Sequence, residues 1–329
     1  MNNDSSLLVS VIVPVYNAGD RICRCLDTLT GQTLREIEII CVLDCPTDGT
    51  DRIVETYAKK DSRIVIVRNE RNLHVSGSRN AGIRVARGKY IGFSDHDDYR
   101  AEDMYEQLYR KAEETGADIV VSDVTVISED RNKEVWRYGD CSKAGLIRSL
   151  VLPFDSKSQR NKPARTCWNG IYRRSLLAGM AFHNRSEVFE EDIFFNLEAI
   201  QKAGTISYVT KPFYVWDKHL GSESNRIYPH GEICHRQIGQ ARSICSFLGQ
   251  KGLLSEYRMP LCLSIYWNVW RYFPYYENLA DNDVELFRSI LSDTRFPLLA
   301  KMEKPWFSKK RPRLFFFLLK SKIYGSIHR

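Results

Sequence analysis

Val9-Ser10-Val11-Ile12-Val13-Pro14-Val15-Tyr16-Asn17 is a short, β-branched apolar run that ends abruptly in polar residues. Such a run predicts a strand buried on both faces. After it, Ile22, Cys25, Leu26 and Leu29 recur at helical spacing. Residues 38–43 form a second predicted strand. Thr50 then suits the N-cap of a helix whose inner face is Ile53, Val54, Tyr57 and Ala58. The rhythm continues with a strand at 63–68, a helix at 77–87 stopped by Gly88, and a strand at 90–93. A helix at 101–115 stopped by Gly116 and a strand at 118–124 complete it. Alternation of this kind predicts an α/β fold, a mostly parallel sheet with helices on both faces. Ligands of such sheets collect at the C-terminal strand ends.

Beyond residue 125 the pattern weakens. Pro153, Asp155, Ser156 and Ser158 suggest loops, and residues 168–172 suggest a strand. Residues 191–203 have helical spacing ended by Gly204, and 206–209 and 213–216 read as two short strands. After about residue 221 the chain turns helical and aromatic, most clearly at 233–248 and 261–273. The expected organisation is a domain over 1–220 and a C-terminal helical extension over 221–329.

Of 329 residues, 43% are apolar and 27% charged, which suits a packed globular core. The first six residues carry no signal-peptide pattern. No apolar stretch reaches the roughly 18 residues that a membrane span requires. Nine scattered cysteines, with Cys23-Arg24-Cys25 lacking the spacer of a metal or redox pair, point to a reducing compartment. The net charge of +7 is concentrated: nine Lys/Arg and one Glu fall in residues 301–329, and the rest is nearly neutral. A cytoplasmic location is expected.

Four polar clusters follow strands or open helices. The first is Tyr16-Asn17-Ala18-Gly19. In Asp44-Cys45-Pro46-Thr47-Asp48-Gly49-Thr50, Asp48 and Thr50 read equally as a capped turn or a functional loop. Asp44 stands before the cap, at the strand tip, where an acceptor meets a base or ribose. In Asp95-His96-Asp97-Asp98, three carboxylates in four residues repel one another, and a divalent cation would relieve this. Hard oxygen ligands favour Mg²⁺ or Mn²⁺, which also bind diphosphate oxygens. The competing reading is a solvated acidic turn capping the next helix, with Asp98 the member best suited to be a cap. Glu190-Glu191-Asp192 opens a helix, as the helix dipole favours, or supplies a general base. Arg79 is either a surface arginine or a bidentate partner of a pyrophosphate.

Taken together and in order, these clusters resemble the inverting family-2 glycosyltransferases of the GT-A (Rossmann-like) fold, over roughly residues 7–220. The resemblance rests on the strand ending Pro14-Val15-Tyr16-Asn17, on Asp44 through Thr50, on Ser78-Arg79-Asn80-Ala81-Gly82, on Asp95-His96-Asp97-Asp98 and on Glu191-Asp192. It implies a donor half over about 7–124 and an acceptor half over about 125–220. Pro14, Val15 and Tyr16, with Asn17 beside them, would floor the donor nucleotide, and Asp44 would meet its base. Arg79 would steady the donor site. Asp95 and Asp97 would be the DxD pair, Asp97 the direct ligand of Mg²⁺ or Mn²⁺ and Asp95 nearer the ribose. His96 occupies the variable position within the donor site and is not expected to bind metal. Asp192, with Glu191 beside it, would be the catalytic base, and residues 168–172 would lie on the acceptor side. The sequence departs from the family pattern at Leu43, where an aspartate is usual, and at Cys45-Pro46, where Gly-Ser is usual.

The implied reaction is a single displacement from a nucleoside-diphosphate sugar, a UDP-sugar by first expectation. The implied acceptor is a hydroxyl of a cell-surface glycan or lipid-linked saccharide. In the tail, Lys309-Lys310-Arg311-Pro312-Arg313 precedes Leu314-Phe315-Phe316-Phe317-Leu318-Leu319, which suits either the anionic inner face of a membrane or packing on the protein. No nucleic-acid partner is expected. The chain lacks Gly-x-Gly-x-x-Gly after the first strand, a P-loop and a Gly-x-Ser-x-Gly elbow, which argues against dinucleotide oxidoreductases, P-loop NTPases and serine hydrolases. The remaining rivals are a non-catalytic relative and a protein that only binds an anionic surface or nucleic acid through its basic tail.

Overall fold

The computed structural model describes residues 7–138, 141–151, 162–183, 191–219, 240 and 243–257. The chain divides into two compact units. One comprises Met1–Leu150, Ser156–Ser186 and Glu190–Arg226, and the other Val151–Asp155, Glu187–Phe189 and Ile227–Arg329. The first holds an α/β domain. In the second, residues 243–250 are helical. The basic tail 301–329, the loops at 153–158 and the helix expected at 261–273 lie outside the described residues, as does most of the one expected at 233–248.

The opening run forms β1 (Val9–Val15), followed by α1 (Arg21–Thr30), β2 (Ile37–Leu43), α2 (Thr50–Lys60), β3 (Ile64–Arg68), α3 (His74–Val85) and β4 (Tyr90–Phe93). Next come β5 (Tyr99–Arg100), α4 (Met104–Thr115), β6 (Ile119–Ile127), β7 (Lys133–Trp136), α5 (Lys143–Val151) and a 3₁₀ turn at Lys162–Arg165. The series closes with β8 (Gly170–Arg173), α6 (Glu191–Lys202) and β9 (Ile206–Asp217). The sheet runs β3-β2-β1-β4-β8-β6-β9-β5, with β7 on β6. Pairing is parallel from β3 through β4. Past β4, β8 is antiparallel to β4 and to β6, while β6 and β9 run parallel. Every residue of β1 and β2 is buried, so both faces of this region are covered.

Two glycines set close approaches. A Cβ on Gly82 of α3 would stand 2.4 Å from Cγ2 of Ile12, so the helix rests directly on β1. A Cβ on Gly170 would stand 2.5 Å from the carbonyl oxygen of Val120, where β8 meets β6.

The structure adjusts several local expectations. Gly49, not Thr50, is the N-cap of α2, with φ of 86°, and Thr50 is the first helical residue. Asp48 does the capping work, because its Oδ1 accepts the N–H and hydroxyl of Thr50. The helix expected from Ala101 begins at Met104, because Tyr99 and Arg100 pair with Val215 and Tyr214 of β9. The two short strands near 206–216 are one strand with a register shift beside Pro212, which has no N–H to give the ladder. β7 and α5 fall in the stretch where periodicity was too weak to predict elements.

Candidate functional site

Strands β2 and β3 lie on one side of β1, and β4 lies on the other. The sheet's direction of winding therefore reverses between β1 and β4, and a crevice opens beyond their C-terminal ends. The polar clusters gather around this point. Imidazole Nδ1 of His96, after β4, lies 3.1 Å from the carbonyl oxygen of Pro14 at the end of β1. Tyr16, next along from Val15, is 45% exposed, an uncommon state for a large ring beside a buried strand. Asn17 spends its amide on the neighbouring loop: its Oδ1 accepts the N–H of Thr47 at 2.8 Å. Asp44 is buried at the tip of β2, and its Oδ1 accepts from Asn69 Nδ2 at 2.7 Å and from the N–H of Leu73 at 2.8 Å. Asp44 thus shapes the loop that leads into α3.

Arg79 is not a surface arginine. It is 3% exposed on α3, and its guanidinium gathers three carboxylates. Nη1 donates to Asp192, and to Glu191 at 3.5 Å, while Nη2 donates to Asp95 at 3.1 Å. Burial works against its charge, but Asp192, Asp95 and Glu191 outweigh this and hold it protonated. The guanidinium also lies 5.1 Å from the ring of Phe182. That ring stacks on Phe195 of α6 at 4.0 Å.

Asp95 and Asp192, far apart in sequence, therefore meet through one fork-shaped cation. Burial pushes Asp192 up to about 6, against the pull of Arg79 and of the Cys167 N–H, which donates to its Oδ2 at 3.3 Å. Burial also raises Asp95, opposed by Arg79 and aided by Asp97.

The four residues after β4 divide by environment. Asp98 is 1% exposed, and its oxygens accept from the hydroxyl of Tyr214 at 2.9 Å and the N–H of Asp217 at 3.0 Å. It ties this loop to β9 and caps no helix; the N-cap of α4 is Asp103. Burial, with Asp97 and Asp95 nearby, raises its proton affinity well above the usual carboxylate range. The Tyr214 hydroxyl in turn accepts the N–H of Asp95 at 3.1 Å. Asp95 and Asp97 keep partial exposure, with side chains 34% and 20% accessible. Oδ2 of Asp97 lies 2.9 Å from Nε2 of His219, just past β9.

No preassembled group of three or more metal-binding side chains exists among the described residues. Asp97 and His219 meet from two elements, while Asp95, two residues before Asp97, is engaged by Arg79. That pair supplies only part of a coordination shell, so a divalent cation there would take its other positions from water and phosphate oxygens. Sequence reasoning missed His219, a lone histidine whose only signal is its place after a strand. It also missed Tyr214 and the Cys167 amide. The amide is a backbone group and leaves no trace in residue type.

The Glycosyl transferase family 2 profile matches residues 10–179. EpsH of Bacillus subtilis (strain 168), which carries a glycosyltransferase name, is 34% identical over 77% of this chain and 72% of its own. The crystal structure of Staphylococcus aureus TarS 1–349 in complex with UDP-GlcNAc superposes with a TM-score of 0.60 at 21% identity. It covers 88% of this chain and 81% of that one. The mannosyltransferase PcManGT of Pyrobaculum calidifontis, solved with GDP-Man and Mn²⁺, superposes with a TM-score of 0.54 at 13% identity, covering 97% and 85%. With 34% identity across most of EpsH and the family profile laid over β1 to β8, the chain belongs to glycosyl transferase family 2 and is a glycosyltransferase of the GT-A fold.

Proposed function

We propose that this glycosyltransferase moves a sugar from a nucleoside diphosphate, UDP by first choice, to a hydroxyl of a cell-surface glycan or lipid-linked saccharide, with inversion. The observation that carries the reading is the placement of Asp192. It is a part-buried carboxylate, its side chain 15% accessible, raised to about 6, held by Arg79 and the Cys167 amide and linked through Arg79 to Asp95. A base with that affinity is ionised at neutral pH yet basic enough to take a hydroxyl proton as attack proceeds. Attack then comes from the side opposite the departing diphosphate, the same separation of base and leaving group that inverting glycosidases use.

In this reading Asp97 holds Mg²⁺ or Mn²⁺, with Asp95 and His219 beside it; when bound, the cation neutralises charge on the leaving diphosphate. Pro14, Val15 and Tyr16 receive the nucleotide, and the half-exposed ring of Tyr16 offers a stacking face to the base. The unbonded side of Asp44, with Asn17 and His96 fixing the loops, completes the donor pocket. Arg79 is spent on carboxylates, so it steadies the donor side by holding Asp95 in place. The UDP-GlcNAc and UDP complexes of TarS favour UDP, and the GDP-Man complex of PcManGT makes GDP the competing choice. We assign the donor half to about 7–124 and the acceptor half to about 125–220. Residues 221–329 are then an extension whose basic tail attaches the enzyme to the inner face of the membrane.

The test is a panel of UDP-, GDP- and dTDP-sugars, assayed for hydrolysis or transfer with and without Mg²⁺ or Mn²⁺. Asp97→Ala and Asp192→Ala should each abolish turnover. Full activity in either variant overturns the mechanism.

A further inference from the structure

Arg79 accounts for one oxygen of Asp192. The other, Oδ2, is held by the N–H of Cys167, in a segment between the 3₁₀ turn and β8. An amide there has no regular ladder to fix its direction. Asn196 supplies that direction.

Asn196 lies one turn after Asp192 on α6, so the two side chains share a helix face. It is 3% exposed, and its amide is fully used. Nδ2 donates to the carbonyl oxygens of Ala164 at 2.8 Å and Thr166 at 2.9 Å, and Oδ1 accepts the hydroxyl of Tyr172 at 2.8 Å. The carbonyl of Thr166 and the N–H of Cys167 belong to the same peptide unit. In a planar trans peptide these groups point in opposite directions. Gripping the oxygen from one side therefore aims the N–H at the other, towards Asp192. Hydrogen bonding at the carbonyl also polarises the unit and strengthens its donor. Asn169, fully buried, secures the far edge of the segment. Its Oδ1 accepts the Thr166 hydroxyl at 3.1 Å, and its Nδ2 donates to the Ser122 carbonyl at 2.9 Å.

Resting on the role given above to Asp192, we propose that Asn196 is a positioning residue: through the Thr166–Cys167 peptide plane it sets the direction in which Asp192 presents its carboxylate to the attacking hydroxyl. None of its hydrogen bonds goes to a donor-side residue, so its effect should fall on turnover rather than on donor binding. The charged and titratable groups around Asp192 are Arg79 from α3, Asp95 after β4, Glu191 on α6 and the Cys167 thiol. Asn196 changes none of these charges; it changes one neutral donor.

The experiment measures hydrolysis of UDP-glucose, UDP-galactose, UDP-N-acetylglucosamine and GDP-mannose with Mn²⁺, using the full chain. It compares Asn196→Asp, Asn196→Ala and Tyr172→Phe. Asn196→Asp removes the donors at constant shape, and Asn196→Ala removes them without burying a charge. Although Tyr172 falls in the segment expected on the acceptor side, it is 2% exposed and its hydroxyl is spent on Asn196, so no acceptor can reach it; Tyr172→Phe deletes only the third partner and leaves the grip on the peptide. With the best of these donors, both Asn196 variants should lose about 10- to 100-fold in kcat, the scale expected when a catalytic group is misplaced by a fraction of a bond length or more. Donor KM should stay within about twofold, and the acid limb of the pH profile should move up, because the ionised carboxylate loses its aimed donor. Tyr172→Phe should retain kcat within about twofold even where urea unfolding shows an equal loss of stability. Wild-type kcat in a folded Asn196→Ala, or equal kcat losses in Tyr172→Phe and Asn196→Ala, overturns the proposal while leaving the role of Asp192 intact. An active Asp192→Ala, or no wild-type turnover of any donor, overturns both.

Discussion

Asp192 sits where two demands conflict. Burial disfavours its charge, and Arg79 and the Cys167 N–H favour it; burial is the larger effect, and the group ends at about 6 rather than 3.8. For catalysis the sign is simple. In its proposed role as base Asp192 must be ionised, so turnover should fall about tenfold per pH unit below about 6, and the apparent value belongs to the whole Arg79–Asp95–Glu191–Asp192 cluster. For stability the sign is opposite. A folded value above the unfolded one means that the contribution of Asp192 is fully present below about 3.8 and is lost as pH rises through about 6. Asp192→Asn should therefore be inactive yet at least as stable as the parent chain at pH 8, as read by urea unfolding. A marked loss of stability would show that the charge of Asp192 is needed to balance Arg79. The acidic pairs 95/97 and 191/192 were visible in residue order alone, but their division of labour was not. Asp98 looked like a helix cap and is a buried anchor for β9, because Tyr214 and the Asp217 amide come to it from more than a hundred residues away.

At the scale of elements, α3 is the piece that places Arg79, and its seat is the contact of Gly82 with Ile12. The two positions are three residues apart on the same helix, so lifting one lifts the other. Gly82→Ala would drive a methyl to 2.4 Å from Cγ2 of Ile12. We expect a loss of about 1–3 kcal/mol, as for other overpacked cores. A fall in turnover should accompany it, and Ile12→Ala in the same chain should recover part of both. No recovery would mean that the helix is seated elsewhere. The elements of the donor half were legible because each strand is a short apolar run and each helix has a clear inner face. β9 was read as two strands because Pro212 interrupts it, and pairing to β6 across a bulge, rather than local propensity, makes it one. β7 and α5 carry weak periodicity and owe their form to the sheet and core beside them.

At the scale of the molecule, the proposed donor crevice belongs to the parallel part of the sheet, and the proposed base comes from α6, which begins about a hundred residues after β4 ends. Binding a nucleotide through a cation should therefore stabilise the domain as a whole. At a ligand concentration about 100 times Kd the gain is about 2.7 kcal/mol. UDP with Mn²⁺ should raise Tm by several degrees in a thermal-shift measurement, UDP with chelator should not, and Asp97→Ala should abolish the difference. An equal shift with chelator would remove the metal from the site. Among the described residues no helix is long and apolar enough to cross a membrane. Attachment, if the basic tail provides it, is electrostatic at its base and sensitive to salt. Full-length protein should float with liposomes rich in anionic lipid, and combined reversal of Lys309, Lys310, Arg311 and Arg313 to Glu should leave it in the soluble fraction. Flotation unchanged by the reversal would exclude the tail as the anchor.

The amino-acid sequence by itself determined the alternation of strand and helix through residue 124, and with it the location of the site at the strand ends. Apolar period and turn chemistry are local properties, and that part of the chain obeys them. It also supplied the carboxylates and the family they resemble. Only the tertiary structure decided which carboxylates share Arg79, that Asp98 is an anchor, that His219 reaches Asp97, and that the Cys167 amide, in the peptide whose carbonyl Asn196 holds, meets Asp192. Each of these is a contact between segments distant in sequence, or involves a peptide group common to every residue. The physical information that selects them resides in how the sheet brings β4, α3, α6 and β9 to one crevice.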